Sequence, residues 1–195
     1  MRKGFLLFFT LLLGVSPAWG ADFDKGLAAA QAGDYATALR EWKPLADQGN
    51  VAAQFSLGVM YENGHGVPQD YKEAVRLYRL AAAQGYASAQ YNLGGMYYNG
   101  RGVPQDYKEA VKWYRLAADQ GNALAQGYLG AMYVTGDGVP KDAPTAYMWL
   151  NIAAASGDKK AEDLRDKLAR TMTPSQIEKG QDMTRACIAK NYKGC

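Results

Sequence analysis

The side chains that most often hold metals or attack substrates are scarce in this chain. Histidine occurs once, at His65, and cysteine twice, at Cys187 and Cys195. A zinc site needs several such ligands together, and a single loop histidine has no second histidine or cysteine beside it. The chain contains no G-x-S-x-G turn, no G-x-x-x-x-G-K-[ST] loop and no G-x-G-x-x-G turn. The signatures of serine hydrolases and of nucleotide-binding enzymes are therefore missing. A charge excess is missing as well. Removing residues 1–20 with Arg2 and Lys3 leaves 20 bases against 19 acids. Nucleic-acid binding needs a concentrated basic footprint, and this balance argues against it. The segment from Asp158 to Cys195 has nine bases and six acids, an excess that reads as a solvated helical surface.

Long apolar runs are limited to the first residues. Arg2 and Lys3 precede an apolar stretch from Gly4 to Val15, and Ala18-Trp19-Gly20 then places small residues before Ala21. This is the pattern of a secretory signal peptide cut after Gly20. The stretch is shorter than the roughly 20 residues a membrane-spanning helix needs, and no stable membrane insertion is expected. No cysteine near the cut offers a site for lipid attachment. The expected destination is the bacterial periplasm, with release outside the cell as the alternative. In such an oxidising compartment, Cys187 and Cys195 are expected to form one local disulfide. Closing a loop of that length stabilises by about 2–3 kcal/mol on the chain-entropy account.

What the chain has in abundance is itself. VPQDYKEAV occupies 67–75 and recurs unaltered at 103–111. Residues 51–86 align without gaps on 87–122, with 25 of 36 positions identical. A third copy begins at Ala123, and 32–50 matches the second half of the unit. Asp34, Asp70, Asp106 and Asp142 mark the register at intervals of 36. A fixed period of this length signals a stack of supersecondary units, each too small to bury its apolar face alone.

Each unit reads as two helices. In the first, over 52–62, Ala53, Leu57, Met60 and Tyr61 share a face at helical spacing. Asn63-Gly64 stops it, and Gly66 and Pro68 hold the chain out of helix. Asp70, three residues ahead of Glu73, predicts a capping box. The second helix is expected from Tyr71 to about Gln84, burying Ala74, Leu77, Tyr78 and Ala81. The repeated acids Asp70 with Glu73, and Asp106 with Glu109, are thus caps rather than an acid–base pair. Gly58, Gly94 and Gly130 fall in mid-helix, where glycine costs up to about 1 kcal/mol against alanine. Close approach of a neighbouring helix is the expected reason. Trp113 and Trp149, at one equivalent second-helix position, read as core. After the repeats, Asp158 to Met172 is charged and helical, and Thr173-Pro174 restarts a last helix.

The pattern A-x-A-x-x-x-L-G-x-x-Y, G-x-G-V-x-x-D-x-x-x-A, A-A-x-x-G resembles the Sel-1-like repeat, a relative of the tetratricopeptide repeat. The second unit carries it at Ala87, Ala89, Leu93, Gly94, Tyr97, Gly100, Gly102, Val103, Asp106, Ala110, Ala117, Ala118 and Gly121. The first departs at Val51, and the tail after Met172 resembles the closing segment of exported bacterial members. The resemblance implies an all-α, right-handed α/α solenoid of helix pairs. Its expected divisions are a signal peptide at 1–20, a solenoid at 21–157 and a helical cap with a disulfide at 158–195. Within the solenoid lie a degenerate unit at 21–50 and repeats at 51–86, 87–122 and 123–157. It also implies an interaction scaffold with a protein or peptide partner and neither cofactor nor metal. A cysteine-rich branch of the family is linked to weak β-lactamase activity, but its members carry a cysteine pair in each repeat, and these repeats have none.

Comparison of the units locates a candidate groove. First-helix positions that change between units fall on a stripe opposite the constant face. In tetratricopeptide-like stacks that stripe lines the concave surface. The candidate partner-binding residues are Phe55, Val59 and Glu62, then Tyr91, Asn92 and Tyr98, then Tyr128 and Val134, with Gly95 and Ala131 between them. Aromatic anchors favour a protein partner. Tyrosines stacking on cell-wall glycan or peptide are the alternative, and drift after duplication, with the rings lying against neighbouring helices, is the plainer one.

Overall fold

The computed structural model describes residues 20–195, so the signal-peptide reading of residues 1–20 lies, but for Gly20, outside the described part. Ten helices follow in chain order: α1 (Phe23–Gln31), α2 (Tyr35–Asp47), α3 (Val51–Asn63), α4 (Tyr71–Ala83) and α5 (Ala87–Asn99). After them come α6 (Tyr107–Ala118), α7 (Ala123–Thr135), α8 (Ala143–Ala155), α9 (Lys159–Ala169) and α10 (Pro174–Ala189). No strand occurs among the described residues, and no described helix is long and apolar enough to cross a membrane.

The repeated aspartates begin the second helix of each pair. The Asp70 carboxylate accepts from the backbone N–H groups of Lys72 at 2.9 Å and Glu73 at 3.1 Å. Asp106 does the same for Lys108 and Glu109, and Asp142 accepts from Thr145. The reciprocal half of the expected capping box does not form there. Glu73 turns outward to Arg76 at 2.6 Å, and Glu109 pairs with Lys112. The N–H groups a capping box would use are already taken, Asp70 donating to the Tyr61 carbonyl and Asp106 to that of Tyr97, each at 2.9 Å. The complete capping box sits instead at the start of α10, between Thr173 and Gln176.

Neighbouring units are joined by three devices. Gly102 adopts φ +71°, and a Cβ there would lie 2.3 Å from the Tyr71 carbonyl oxygen. The loop of one unit can thus rest on the first turn of the preceding second helix only without a side chain. Arg79 donates to the Tyr97 hydroxyl at 2.7 Å, and Arg115 repeats the contact on Tyr133 one unit later. Buried alanines, leucines and methionines fill the space between, around Tyr78, Tyr114 and Trp149. Trp149 is fully buried, whereas Trp113 is half-buried against the preceding cluster. Each pair therefore packs on the next, α2 on α3, α4 on α5, α6 on α7, as a solenoid requires.

The first helix of the N-terminal pair, which the sequence register does not show, is α1. A Cβ on Gly26 would meet Trp42 Nε1 at 2.4 Å, as one on Gly58 would meet Tyr78 Cε1 at 2.6 Å. At the other end α9 stands in the place of a fourth first helix, capped by Asp158. The chain then leaves the pattern, since α10 packs back across α8. Cys187 enters the core beside Ala118 and Trp149, and its bond to Cys195, with Cα atoms 5.5 Å apart, closes the C-terminal turn.

Candidate interaction face

The helices α3, α5 and α7 present a surface of unusual composition. No charged side chain occurs in α5 (ASAQYNLGGMYYN) or α7 (ALAQGYLGAMYVT), and α3 has only Glu62. By contrast α4 and α6 each carry lysine, glutamate and arginine. The first helices therefore offer tyrosine, asparagine, serine, glycine and aliphatic side chains.

Among the candidate residues, the structure brings Tyr91, Tyr98 and Tyr128 into one aromatic cluster. The Tyr91 ring lies 5.8 Å from both Tyr114 and Tyr128, and Tyr128 stacks on Tyr114 at 5.1 Å. Tyr98 sits 5.1 Å from Tyr107 and 6.2 Å from Tyr128. Beside the cluster is a cleft of about 160 Å³ lined by Glu62, Asn92, Gly95, Arg101 and the three rings of Tyr91, Tyr114 and Tyr128. Phe55 stands one unit earlier, against Tyr78 and Tyr86, with Val59 half-buried in the same cluster. Val134 is at the opposite end, packed on the group formed by Leu150, Ala153 and Ala161. Glu62 is tied down, accepting a 2.6 Å hydrogen bond from the buried Tyr78 hydroxyl.

Burial sets the protonation of these rings. It pushes the Tyr91 hydroxyl up to about 12, with the neighbouring Tyr128 adding to the rise. Tyr98 and Tyr114 are raised by the same cause. At neutral pH these hydroxyls are protonated donors, suited to hydrogen bonding rather than to proton abstraction. His65 is exposed, its ring stacked on Tyr35 at 4.7 Å. Arg101 covers Tyr71 from the equivalent position, so this loop position shields the preceding unit. Among the described residues no three His, Cys, Asp or Glu side chains converge to hold a metal ion.

Two features escape the sequence reading. Gln54, Gln90 and Gln126 are buried, and each donates through Nε2 to a carbonyl of the preceding second helix, Ala46, Ala82 and Ala118. Their identity across three units is the available signal, but nothing in a polar residue beside the constant apolar face marks it as buried. The second is a cavity of about 790 Å³ between α7, α8 and α9, whose walls include Leu124, Gly127, Tyr128, Leu150, Ser156 and Leu164.

The sequence pattern of the Sel1 repeat matches residues 51–86, 87–122 and 123–158. Among solved structures, a Sel1 repeat protein from Oxalobacter formigenes is 38% identical, with a TM-score of 0.69 over 72% of this chain. A protective antigen of uropathogenic Escherichia coli strains, displaying an SLR fold, is 26% identical, with a TM-score of 0.62 over 87% of it. The matches span 58% and 45% of the lengths of those two proteins. No curated protein matches the chain.

Proposed function

The chain belongs to the Sel1 repeat family, and from that premise we propose that it is an exported, non-catalytic scaffold holding another protein or peptide on the face of α3, α5 and α7. Sel1 repeat proteins generally mediate protein–protein interaction. The observation that carries the reading is the uncharged, tyrosine-rich composition of α5 and α7. Interface cores are depleted of charge and enriched in aromatics, and tyrosine with serine, glycine and asparagine forms surfaces that bind through rigid rings and adaptable polar groups. Export is supported by the leader-like residues 1–20, and the Cys187–Cys195 bond suits an oxidising compartment.

The test is capture from bacterial envelope extract by the purified protein, run beside binding to purified peptidoglycan. Capture of a protein that weakens in Tyr98→Ala, with helicity unchanged, supports the scaffold. Binding to peptidoglycan alone would replace it with a cell-wall module, and capture indifferent to Tyr98→Ala would remove this face from the reading.

A further inference from the structure

We propose that the cavity between α7, α8 and α9 is a socket for a phenylalanine or tyrosine side chain presented by the protein partner. The proposal rests on the scaffold reading for the nature of that partner. The repeat supplies its own template for the occupant. At one position of the unit stand Phe55, Tyr91 and Gly127. Phe55 packs 5.9 Å from Tyr78 and 5.1 Å from Tyr86. Tyr91 packs 5.8 Å from Tyr114 and 5.8 Å from Tyr128. Carried forward into the register of the third unit, two repeats on from Phe55 and one from Tyr91, those neighbours become Leu150 for Tyr78 and Tyr114, Asp158 for Tyr86, and Leu164 for Tyr128. All three line the cavity. The positions that flank the ring in the earlier units thus flank the cavity in the third, reduced from tyrosine to two leucines and an aspartate. The ring that fills the slot twice is deleted, and Tyr91 and Tyr128 remain as aromatic walls.

A second observation points the same way. In the first two units the buried glutamine accepts from a partner, Gln84 to Gln54 at 2.8 Å and Gln120 to Gln90 at 2.7 Å. In the third, Ser156 holds that place, and the Gln126 Oε1 has no hydrogen-bond partner although Gln126 is only 1% exposed. Its amide is anchored like the others, on Ala118, so the acceptor faces the Ser156 side, and Ser156 is on the cavity wall. A buried acceptor without a donor costs stability, and the place of its missing donor is taken here by Ser156 at the cavity wall. At the mouth, Leu124 and Tyr128 are 51% and 41% exposed, large apolar side chains left uncovered where a partner would lie. The volume of about 790 Å³ holds an aromatic side chain with the residues that carry it.

The socket can be tested without knowing the partner. The purified, isotopically labelled protein is titrated with N-acetyl-phenylalanine amide, N-acetyl-tyrosine amide, N-acetyl-leucine amide and N-acetylglucosamine, and backbone amide shifts are followed by NMR. The expected result is saturable shifts confined to 124–131 and 156–164 with the aromatic amides. The leucine amide should bind about threefold to tenfold more weakly, the factor aromatic packing adds beyond buried area. Gly127→Phe, which restores the ring of the first unit, should abolish these shifts. Because a Cβ at Gly127 would press on Asp158 Oδ2 at 2.9 Å, Leu124→Glu at the exposed rim is the second variant, expected to weaken aromatic binding while the fold is kept. Absence of localised shifts, equal response to leucine, response to the sugar alone, or indifference to both variants would each overturn the socket. So would self-association of the protein that Gly127→Phe removes, since the occupant would then be a second copy. None of these outcomes depends on the envelope capture, so the scaffold reading stands or falls separately.

Discussion

A Cβ placed on Gly94 would lie 2.8 Å from Cδ1 of Tyr114, a residue 1% exposed and held between Tyr91 of its own unit and Tyr128 of the next. One residue on, a Cβ on Gly95 would meet only the Tyr114 hydroxyl, at 3.7 Å. Two adjacent glycines in the same helix should therefore respond oppositely to alanine. Gly94→Ala gains the helix propensity of alanine, about 1 kcal/mol, but forces a fully packed ring aside, which costs about 1–3 kcal/mol. Gly95→Ala keeps the gain without the clash. Urea denaturation should show a lower midpoint for the first variant and a higher one for the second. A rise for both would mean that α5 and α6 approach less closely than described.

This pair also shows what the sequence could and could not reveal. A glycine recurring in mid-helix at one repeat position told of close approach, and the structure supplies the ring that approaches. The period located the caps, the stops and the buried stripe, because each is a local requirement that every unit must meet again. Where the period lapses, the sequence is silent. The first helix α1 was hidden because only eight positions separate Gly26 from Asp34, against twelve from Gly58 to Asp70, so the register slips. The return of α10 across α8 follows from no repeat at all. The candidate tyrosines were found by their variation, yet variation did not show that Tyr91 and Tyr128 lean on Tyr114, since ring contacts between units depend on side-chain direction rather than on spacing.

Completing the glutamine ladder should stabilise the third unit. Ser156→Gln would place an Nε2 where Gln84 and Gln120 carry theirs, within reach of the unpaired Gln126 Oε1. Satisfying a buried acceptor contributes on the order of 1 kcal/mol. Thermal melting should shift upward, and amide exchange should slow in α7 and α8. Gln90→Leu, which removes a satisfied member, leaves the Ala82 carbonyl without its 3.2 Å donor and should lower stability. An unchanged melt for Ser156→Gln would mean that another donor already serves Gln126.

Acid should loosen the N-terminal pair first. The Glu41 side chain is 6% exposed, accepts from Lys25 at 2.8 Å and takes the Asp22 backbone N–H at 3.2 Å. The bond from Lys25, followed by that from Asp22, holds its carboxyl below the usual range against the opposing effect of burial. A carboxylate whose folded value is depressed stabilises fully above its unfolded value, and that contribution fades as pH falls through the folded one. Exchange of the α1 amides should therefore accelerate below the ordinary glutamate range while α5 to α8 stay protected. Glu41→Gln should remove most of that pH dependence, and equal loss of protection along the whole stack would assign the acid response elsewhere.

Reduction of Cys187–Cys195 should act on α10 and on the end of α6 together. The closed turn holds Asn191 and Tyr192 at φ 51° and 67°, a region that side chains other than glycine rarely occupy. It also lays the Tyr192 ring against Gly121, where a Cβ would be 3.3 Å away. Without the bond, nothing covalent opposes relaxation of those two residues, and the ring leaves the turn between α6 and α7. The loop-entropy account assigns about 2–3 kcal/mol to a closure of this size. Reduced protein, or the pair Cys187→Ala with Cys195→Ala, should melt lower and lose amide protection at 184–192 and 119–122. The first three pairs, which pack on their own neighbours, should keep theirs. Loss of protection confined to 190–195 would show that the bond closes a turn without anchoring it.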